Sequence, residues 1–233
     1  MSALDPIPPM HLKALLFDFD GVLINSLPVM KRAFFAALEE VYPNRTMPHE
    51  ALFAEYQNYL GMGFPQIMRN LGLSHDMFEP FRKHSRKLAP NVRLYDGAVD
   101  LLSWAHGKGL LMGIATGKDY ERTIELLEQL HIRDYFCAVY ASDRVGAPKP
   151  APEMAQRFAR DNQLTMSDFI LIGDASADIR CGQAAGCRTA AAAWGYTARS
   201  TLCALGPTYV FDSPADAQVQ LDPMVLSQEW AQR

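Results

Sequence analysis

The sequence has few cysteines, no excess of positive charge and no long apolar segment. Its 233 residues include four cysteines without a CxxC pair, so we expect reduced thiols that are mostly packed in the interior. A formal net charge of -4 provides no basic field for a polyphosphate backbone, which argues against nucleic acid as a partner. Arg188 interrupts the alanine-rich segment 184–194, and no apolar run reaches the roughly 18 residues of a membrane span. We therefore expect no membrane partner.

The composition fits one globular unit or a core with a smaller inserted domain, because 49% of the residues are hydrophobic and 21% are charged. Residues 1–10 include three prolines but no basic segment followed by an apolar one, so they lack the pattern of a secretory signal. We expect a cytoplasmic protein that is a monomer or a homodimer.

Short apolar runs alternate with helical patterns along most of the chain. The runs have the character of buried strands and cover residues 13–17, 110–115, 137–141, 169–172 and 188–193. Helical patterns lie between them, for example at 97–106 and 120–130. This alternation predicts an α/β fold with a parallel sheet flanked by helices.

Residues 27–89 break the alternation. They carry apolar residues at helical spacing, such as Phe34, Ala37 and Leu38, and no convincing strand. We predict an all-helical domain at 26–92, inserted into a core formed by 1–25 and 93–233. Breaks between its helices are expected at four places: Pro43, Pro48, 61–65 and Gly72.

Polar side chains follow the ends of four predicted strands or the segments after them: Asp18, Asp20, Thr116, Lys149, Asp174 and Asp178. In open parallel sheets, ligands bind beyond the carboxyl ends of the strands. Groups far apart in sequence are therefore expected to share one site.

Each of these residues also has a simpler interpretation. Asp18 and Asp20 are compatible with a turn before Gly21, and Lys149 with a solvated lysine before a proline turn. Thr116 and Asp174 are compatible with helix caps. Taken singly, none of the residues decides between structure and chemistry.

Taken together, the residues supply a complete set of groups for phosphoryl transfer. Asp18 is a carboxylate nucleophile, and Asp20 is a general acid and base if nearby charge raises its pKa. Thr116 and Lys149 are suited to stabilising the phosphoryl oxygens. Asp174 and Asp18 are hard oxygen ligands for Mg²⁺, and without a cation these carboxylates would repel a phosphate.

Four segments, in order, resemble the motifs of haloacid dehalogenase-superfamily phosphatases. They are DFDGVLINS at 18–26, IATG at 114–117, KPAPE at 149–153 and GDASADI at 173–179. The resemblance extends from Lys13 to about Asp212. It implies a Rossmann-like sheet, a small helical cap at the predicted insertion and a Mg²⁺-dependent reaction.

The resemblance also implies a role for each matching residue. Asp18 corresponds to the phosphoryl-accepting nucleophile, and Asp20 to the general acid and base whose backbone carbonyl binds Mg²⁺. Thr116, Gly117 and Lys149 correspond to the phosphoryl-binding positions. The metal side is completed by Asp174 as a carboxylate ligand and Asp178 as a support of the metal site.

Two positions depart from the family's commonest pattern. Gly117 stands where Asn frequently follows the Thr, and Ala175 stands where Ser or Thr often follows the metal-binding Asp. These departures affect secondary hydrogen bonds to the nucleophile and the metal and leave the reaction class unchanged.

Within the superfamily, the chain is similar to phosphoglycolate phosphatases and closer still to the group associated with 3-amino-5-hydroxybenzoate synthesis. The phrases SLPVMKRAF at 26–34 and GFPQIMRNLGL at 63–73 carry that similarity. It implies a small phosphorylated metabolite as the substrate.

Two other functions are compatible with the residues. A phosphomutase resembling β-phosphoglucomutase uses the same aspartates, but such enzymes place an Arg soon after a cap glycine, and here Gly61 is followed by MGFP. A catalytically idle binding module is free to lose any of the catalytic residues. The intact set of Asp18, Asp20, Thr116, Lys149 and Asp174 argues for an enzyme instead.

Overall fold

The computed structural model describes residues 11–44 and 46–225, and residues 1–10, expected to lack a signal sequence, lie outside them. The strands are β1 (Ala14–Phe17), β2 (Ile24–Asn25), β3 (Arg93–Leu94), β4 (Leu111–Thr116), β5 (Ala138–Ala141), β6 (Phe169–Gly173), β7 (Arg188–Ala192) and β8 (Tyr209–Phe211). The α-helices are α1 (Leu27–Val41), α2 (His49–Gln57), α3 (Phe64–Asn70), α4 (Phe78–Leu88), α5 (Ala98–Gly107), α6 (Tyr120–Gln129), α7 (Glu153–Asp161), α8 (Ser176–Ala185), α9 (Arg199–Cys203) and α10 (Pro214–Leu221).

Six strands form a parallel sheet in the order β5-β4-β1-β6-β7-β8. Strand β1 pairs in parallel with β4 on one side and with β6 on the other. All residues of β1 and β6 are buried, because helices cover both faces of the sheet and both faces must be apolar. The predicted α/β, Rossmann-like fold class is confirmed.

Alternate residues along the central strands enter different cores. Leu15 and Phe17 pack with helices on one face. Leu16 packs on the other face, where Phe158 of α7 is fully buried. This two-sided burial holds the carboxyl end of β1 in a fixed position between its neighbours.

Residues 27–91 contain helices and no described strand, as the periodicity predicts. Phe34, Tyr56 and Met68 belong to a hydrophobic cluster that is separate from the two sheet cores. The chain enters this region from β2 and returns through β3, which pair with each other in an antiparallel manner. The domain boundaries at 25/26 and 92/93 stay a prediction.

Two expectations need correction. The break expected at 61–65 is present between α2 and α3, but it ends at Gly63, because Pro65 is tolerated in the first helical turn of α3. The four thiols are free, yet only Cys181 and Cys187 are buried, while Cys137 is exposed. Within the described residues, no helix combines the length and apolar character that crossing a membrane requires.

Candidate active site

Three adjacent strands deliver the predicted residues to one edge of the sheet. Asp18 directly follows β1, Thr116 is the last residue of β4, and Asp174 directly follows β6. Strand β1 lies between β4 and β6, where the chain changes the direction in which it adds strands. Such a switch point opens a crevice at the carboxyl ends of the strands.

Lys149 connects the groups at the base of this crevice. Its Nζ donates hydrogen bonds to Ala115 O at 2.7 Å and to Asp178 Oδ1, and lies 3.0 Å from Asp18 Oδ1. These three acceptors match the three N–H donors of an ammonium group. Lys149 is fully buried, so its interpretation as a solvated lysine is wrong. Burial opposes its charge, but Asp178 and Asp18 outweigh burial and raise its pKa.

Asp18 and Asp174 are buried carboxyl groups in a region of excess negative charge. Burial, together with the charges of Asp178 and Asp20, raises the pKa of Asp18 to about 7, although Lys149 opposes the rise. Burial first, and then the charges of Asp18 and Asp178, raise the pKa of Asp174 well above its ordinary value. Both groups therefore favour a partner cation.

The donor set fits a divalent metal ion. Asp18, Asp174 and Asp178 each offer a carboxylate oxygen, and these oxygens lie within 4.8 Å of one another. Lys149 provides one positive charge and contacts two of these three carboxylates, those of Asp18 and Asp178. Hard oxygen donors with excess negative charge are the environment that Mg²⁺ favours. Asp20, the fourth predicted contributor, lines the adjacent cavity.

Gly21 allows the loop after β1 to approach Asp174 closely. Its φ angle is +83°, and an added Cβ would lie 2.1 Å from Asp174 Oδ2. The same oxygen accepts a hydrogen bond from the Tyr196 backbone N–H at 2.7 Å. Asp174 is thus oriented by backbone on one side and confined by backbone on the other.

Asp20 is held by two partners that the sequence analysis did not identify. Its Oδ1 accepts a hydrogen bond from the Ser26 hydroxyl, and its Oδ2 lies 3.1 Å from Lys118 Nζ. The Tyr196 hydroxyl accepts the Ser26 N–H at 2.8 Å, so it fixes the segment that carries the Ser26 hydroxyl. Lys118 follows Thr116-Gly117 directly, and Tyr196 lies just beyond β7, so the strand-end rule was a signal for both.

A cavity of about 230 Å³ lies over these groups, between the sheet edge and the helical region. Residues from both sides line it, including Asp18, Asp20, Thr116, Asp174, Phe64 and Arg69. Lys149 and Asp178 are fully buried and lie behind this lining.

Gly117 lies where the core meets the segment between α2 and α3. A Cβ at this position would lie 2.3 Å from the Met62 carbonyl oxygen and 2.7 Å from the Gly61 carbonyl oxygen. The glycine that departs from the commonest motif is therefore the residue that lets the helical region close against the core.

The alternative interpretations as helix caps are wrong for two positions. Asp119, not Thr116, caps α6 by accepting the Arg122 N–H at 3.2 Å. At the start of α8, the N-cap residue is Ala175 and not Asp174, and Asp178 Oδ2 accepts the Ala175 N–H at 2.9 Å. Thr116 and Asp174 are left facing the cavity.

The chain is similar in sequence and in fold to several known proteins. Residues 15–192 match the haloacid dehalogenase-like hydrolase family. A phosphoglycolate phosphatase from Vibrio parahaemolyticus is 27% identical over 217 residues, covering 87% of this chain and 92% of that protein. Pyrophosphatase PpaX from Listeria innocua is 27% identical over 205 residues, covering 87% and 93%. A hydrolase structure from Pseudomonas syringae shares the fold with a TM-score of 0.80 at 21% identity, covering 92% of this chain and 100% of that one.

Proposed function

The chain belongs to the haloacid dehalogenase-like hydrolase family, and from this premise we propose that it is a magnesium-dependent phosphatase acting on a small phosphomonoester. The observation that carries the proposal is the meeting of Asp18, Asp20, Thr116 and Asp174 around one cavity. Lys149 lies behind them in contact with Asp18. The expected intermediate is an aspartyl-phosphate on Asp18.

In the first step, a carboxylate oxygen of Asp18 attacks the phosphorus atom. A new bond from that oxygen to phosphorus forms as the ester bond from phosphorus to the leaving oxygen breaks. Protonated Asp20 gives its proton to the leaving oxygen, so that an alcohol departs. The hydroxyl of Ser26 and the ammonium of Lys118 orient the Asp20 carboxyl for this transfer.

In the second step, water attacks the phosphorus atom of the aspartyl-phosphate. Asp20, now a carboxylate, accepts a proton from that water. The bond between phosphorus and the Asp18 oxygen breaks, its electron pair returns to the Asp18 carboxylate, and inorganic phosphate leaves. Both residues are then in their starting protonation states.

Thr116, Gly117 and Lys149 are proposed to hold the phosphoryl oxygens during both steps. Thr116 and Gly117 line the cavity, which supports direct contact. All three donors of Lys149 already have acceptors, so it donates to a phosphoryl oxygen only by exchanging one of them. Without that exchange, its charge still stabilises the transferring group.

Asp18 and Asp174, with the Asp20 carbonyl, would hold Mg²⁺, and Asp178 would support the site. When bound, the ion neutralises phosphate charge and stabilises the oxygens that gain charge during transfer. The excess of buried carboxylates over ammonium groups supports this assignment.

The proposed substrate is a small phosphorylated metabolite, which suits a cavity of about 230 Å³. Relatives that act on phosphoglycolate and pyrophosphate support a substrate of this size. We propose the 3-amino-5-hydroxybenzoate-associated group as the closest subgroup, on the strength of the motif at 26–34. We propose no nucleic-acid or membrane partner. We propose that the protein is a monomer or a homodimer in the cytoplasm.

Release of inorganic phosphate from p-nitrophenyl phosphate tests the proposal. We expect turnover with Mg²⁺, loss of turnover in EDTA, recovery on adding Mg²⁺ and inhibition by Ca²⁺, whose looser coordination misplaces the reacting groups. Full activity in a chelated, metal-free sample would contradict the metal assignment. Absence of phosphate release under every condition would favour the idle binding module.

A further inference from the structure

Arg122 is a buried cation with unsatisfied donors beside the proposed catalytic cavity. It lies in the first turn of α6, is only 4% exposed and contributes to the cavity lining. Its Nη1 donates to Glu125, whereas Nε and Nη2 are buried and have no hydrogen-bond partner. Three N–H bonds of the guanidinium, one on Nε and two on Nη2, are thus without an acceptor.

Among the arginines that the structure describes, Arg122 alone has two buried nitrogens without a partner, and it lines the cavity. Buried polar groups are almost always hydrogen-bonded, and an unpaired buried donor that is charged is especially unfavourable. Glu125 lies one turn along the same helix, and its side chain is 36% exposed. It fixes one edge of the guanidinium and leaves the remaining donors for another acceptor.

Two further cations line the cavity near Arg122. Lys118 precedes it by four residues and contacts Asp20. Arg82 reaches in from α4 and has its Nη2 3.4 Å from Asp119 Oδ1, the oxygen that accepts the Arg122 N–H. Arg82 Nε is also buried without a partner. We call Arg82, Lys118 and Arg122 the cationic rim.

The loop between β4 and α6 links the rim to the proposed phosphoryl site. Thr116 and Arg122 are six positions apart in sequence and line the same small cavity. A ligand that fills this cavity can therefore contact both residues. The guanidinium fork is suited to carboxylate and phosphate oxygens, which accept two parallel hydrogen bonds.

We propose that Arg122 binds a second anionic group of the substrate, a carboxylate or a phosphate, while the first phosphoryl group is attacked by Asp18. This inference rests on the proposed phosphatase function and narrows its substrate class to small phosphomonoesters or diphosphates with two anionic ends. Arg82 closes the same subsite from the helical region. Arg122 sets specificity and takes no part in proton or phosphoryl transfer.

The test compares substrates that differ in one group. 2-Phosphoglycolate and 2-hydroxyethyl phosphate have the same phosphoryl end and differ in a carboxylate against a neutral hydroxymethyl group. Pyrophosphate provides the phosphate alternative, and p-nitrophenyl phosphate reports the basic reaction. The readout is kcat/KM for inorganic phosphate release with Mg²⁺. We expect the wild-type protein to have a kcat/KM for 2-phosphoglycolate or pyrophosphate that is roughly tenfold or more higher than for hydroxyethyl phosphate.

Arg122→Met keeps an apolar stem and removes the guanidinium. We expect the ratio of kcat/KM for the anionic substrate to that for hydroxyethyl phosphate to fall by roughly tenfold to a hundredfold, mainly through KM. Arg122→Lys retains the charge without the fork, so it should recover only part of the preference. Arg160→Met, at an arginine whose side chain is 70% exposed on α7, is the matched control and should leave the ratio unchanged.

The outcomes separate this inference from the function on which it rests. If the wild-type protein releases no phosphate from any of the four compounds, the proposed phosphatase function fails. If it hydrolyses p-nitrophenyl phosphate but shows no preference for a second anion, the subsite is wrong. Equal losses on anionic and neutral substrates in Arg122→Met would also overturn it. If Arg122→Met does not fold, Arg122→Lys provides the test. An unchanged ratio of kcat/KM between the anionic substrate and hydroxyethyl phosphate in that variant would overturn the subsite.

Discussion

The two charged regions of the cavity differ in how completely their groups are paired. At the sheet edge, every donor of Lys149 has an acceptor, and backbone groups orient Asp18 and Asp174. In the cationic rim, Arg82 and Arg122 keep buried donors without partners. Groups that carry out a reaction gain from being fixed beforehand, whereas groups that recognise a substrate must leave their donors open to it. We therefore assign the reaction to the sheet edge and to Lys118, which contacts Asp20, and we assign recognition to the two arginines of the rim.

The largest expected effect is at Asp18. Asp18→Asn keeps the side-chain volume and removes the attacking charge, so turnover of p-nitrophenyl phosphate should fall by roughly a thousandfold or more. Circular dichroism and thermal unfolding check that the fold is retained. Near-normal turnover in this variant would show that Asp18 is not the nucleophile.

Asp20→Asn should slow substrates with poor leaving groups by roughly 10²-fold to 10⁴-fold, because no group then protonates the leaving oxygen. Ser26→Ala is the matched positioning variant, since it removes the hydroxyl that contacts Asp20 and keeps the carboxyl. A smaller loss is expected in Ser26→Ala. The comparison uses kcat for an alkyl phosphate, and an unchanged rate in Asp20→Asn would exclude its acid role.

Asp174→Asn should raise the Mg²⁺ concentration for half-maximal activity by roughly tenfold or more, because a charged ligand is lost. In EDTA the same variant should be more stable than the wild type. The raised pKa of Asp174 means that its ionised form is unfavourable in the folded protein, so wild-type stability falls as pH rises above 3.8. Thermal unfolding against pH, with and without Mg²⁺, measures both effects. A less stable variant in EDTA would show that burial and neighbouring charge do not make the ionised form of Asp174 unfavourable in the metal-free protein.

Gly117→Ala tests the contact between the helical region and the core. The added Cβ would collide with the Met62 carbonyl, so closure of the cavity should weaken and kcat/KM should fall by about tenfold. Gly107→Ala is the control, because a Cβ there meets nothing within 4 Å. Equal activities in the two variants would show that closure at Gly117 does not matter for turnover.

The sheet edge was predictable from the sequence because parallel strands end at a common edge. Asp18, Thr116 and Asp174 each follow or end a recognisable apolar run, and the structure brings them together. The interpretation of Lys149 as a solvated residue was wrong, because its burial depends on three acceptors from distant segments. The sequence near Lys149 does not show which segments will supply these acceptors.

The two arginines of the cationic rim were not predictable in the same way. In the sequence YERTIELLEQ, Arg122 has the pattern of an ordinary exposed polar residue near a helix N-terminus. It is buried beside ion pairs that join α4 to α6 and its N-cap residue, in which Arg82 of α4 contacts Asp119 and Arg86 of α4 contacts Glu125. Tyr196 follows a strand end, but its contact with Ser26 across 170 positions of sequence was not predictable either. Such contacts depend on how the helical region packs on the core, which no local pattern specifies.

The most direct test of the central claim is to locate the covalent phosphate. In Asp20→Asn, p-nitrophenyl phosphate should still phosphorylate the protein, because p-nitrophenolate leaves without a proton, while hydrolysis lacks its base. Acid quenching, digestion and mass spectrometry should then find the phosphate on the peptide containing Asp18. It should be absent when Asp18→Asn is added. Phosphate on another residue, or sustained phosphate release with Asp18 replaced, would contradict the account.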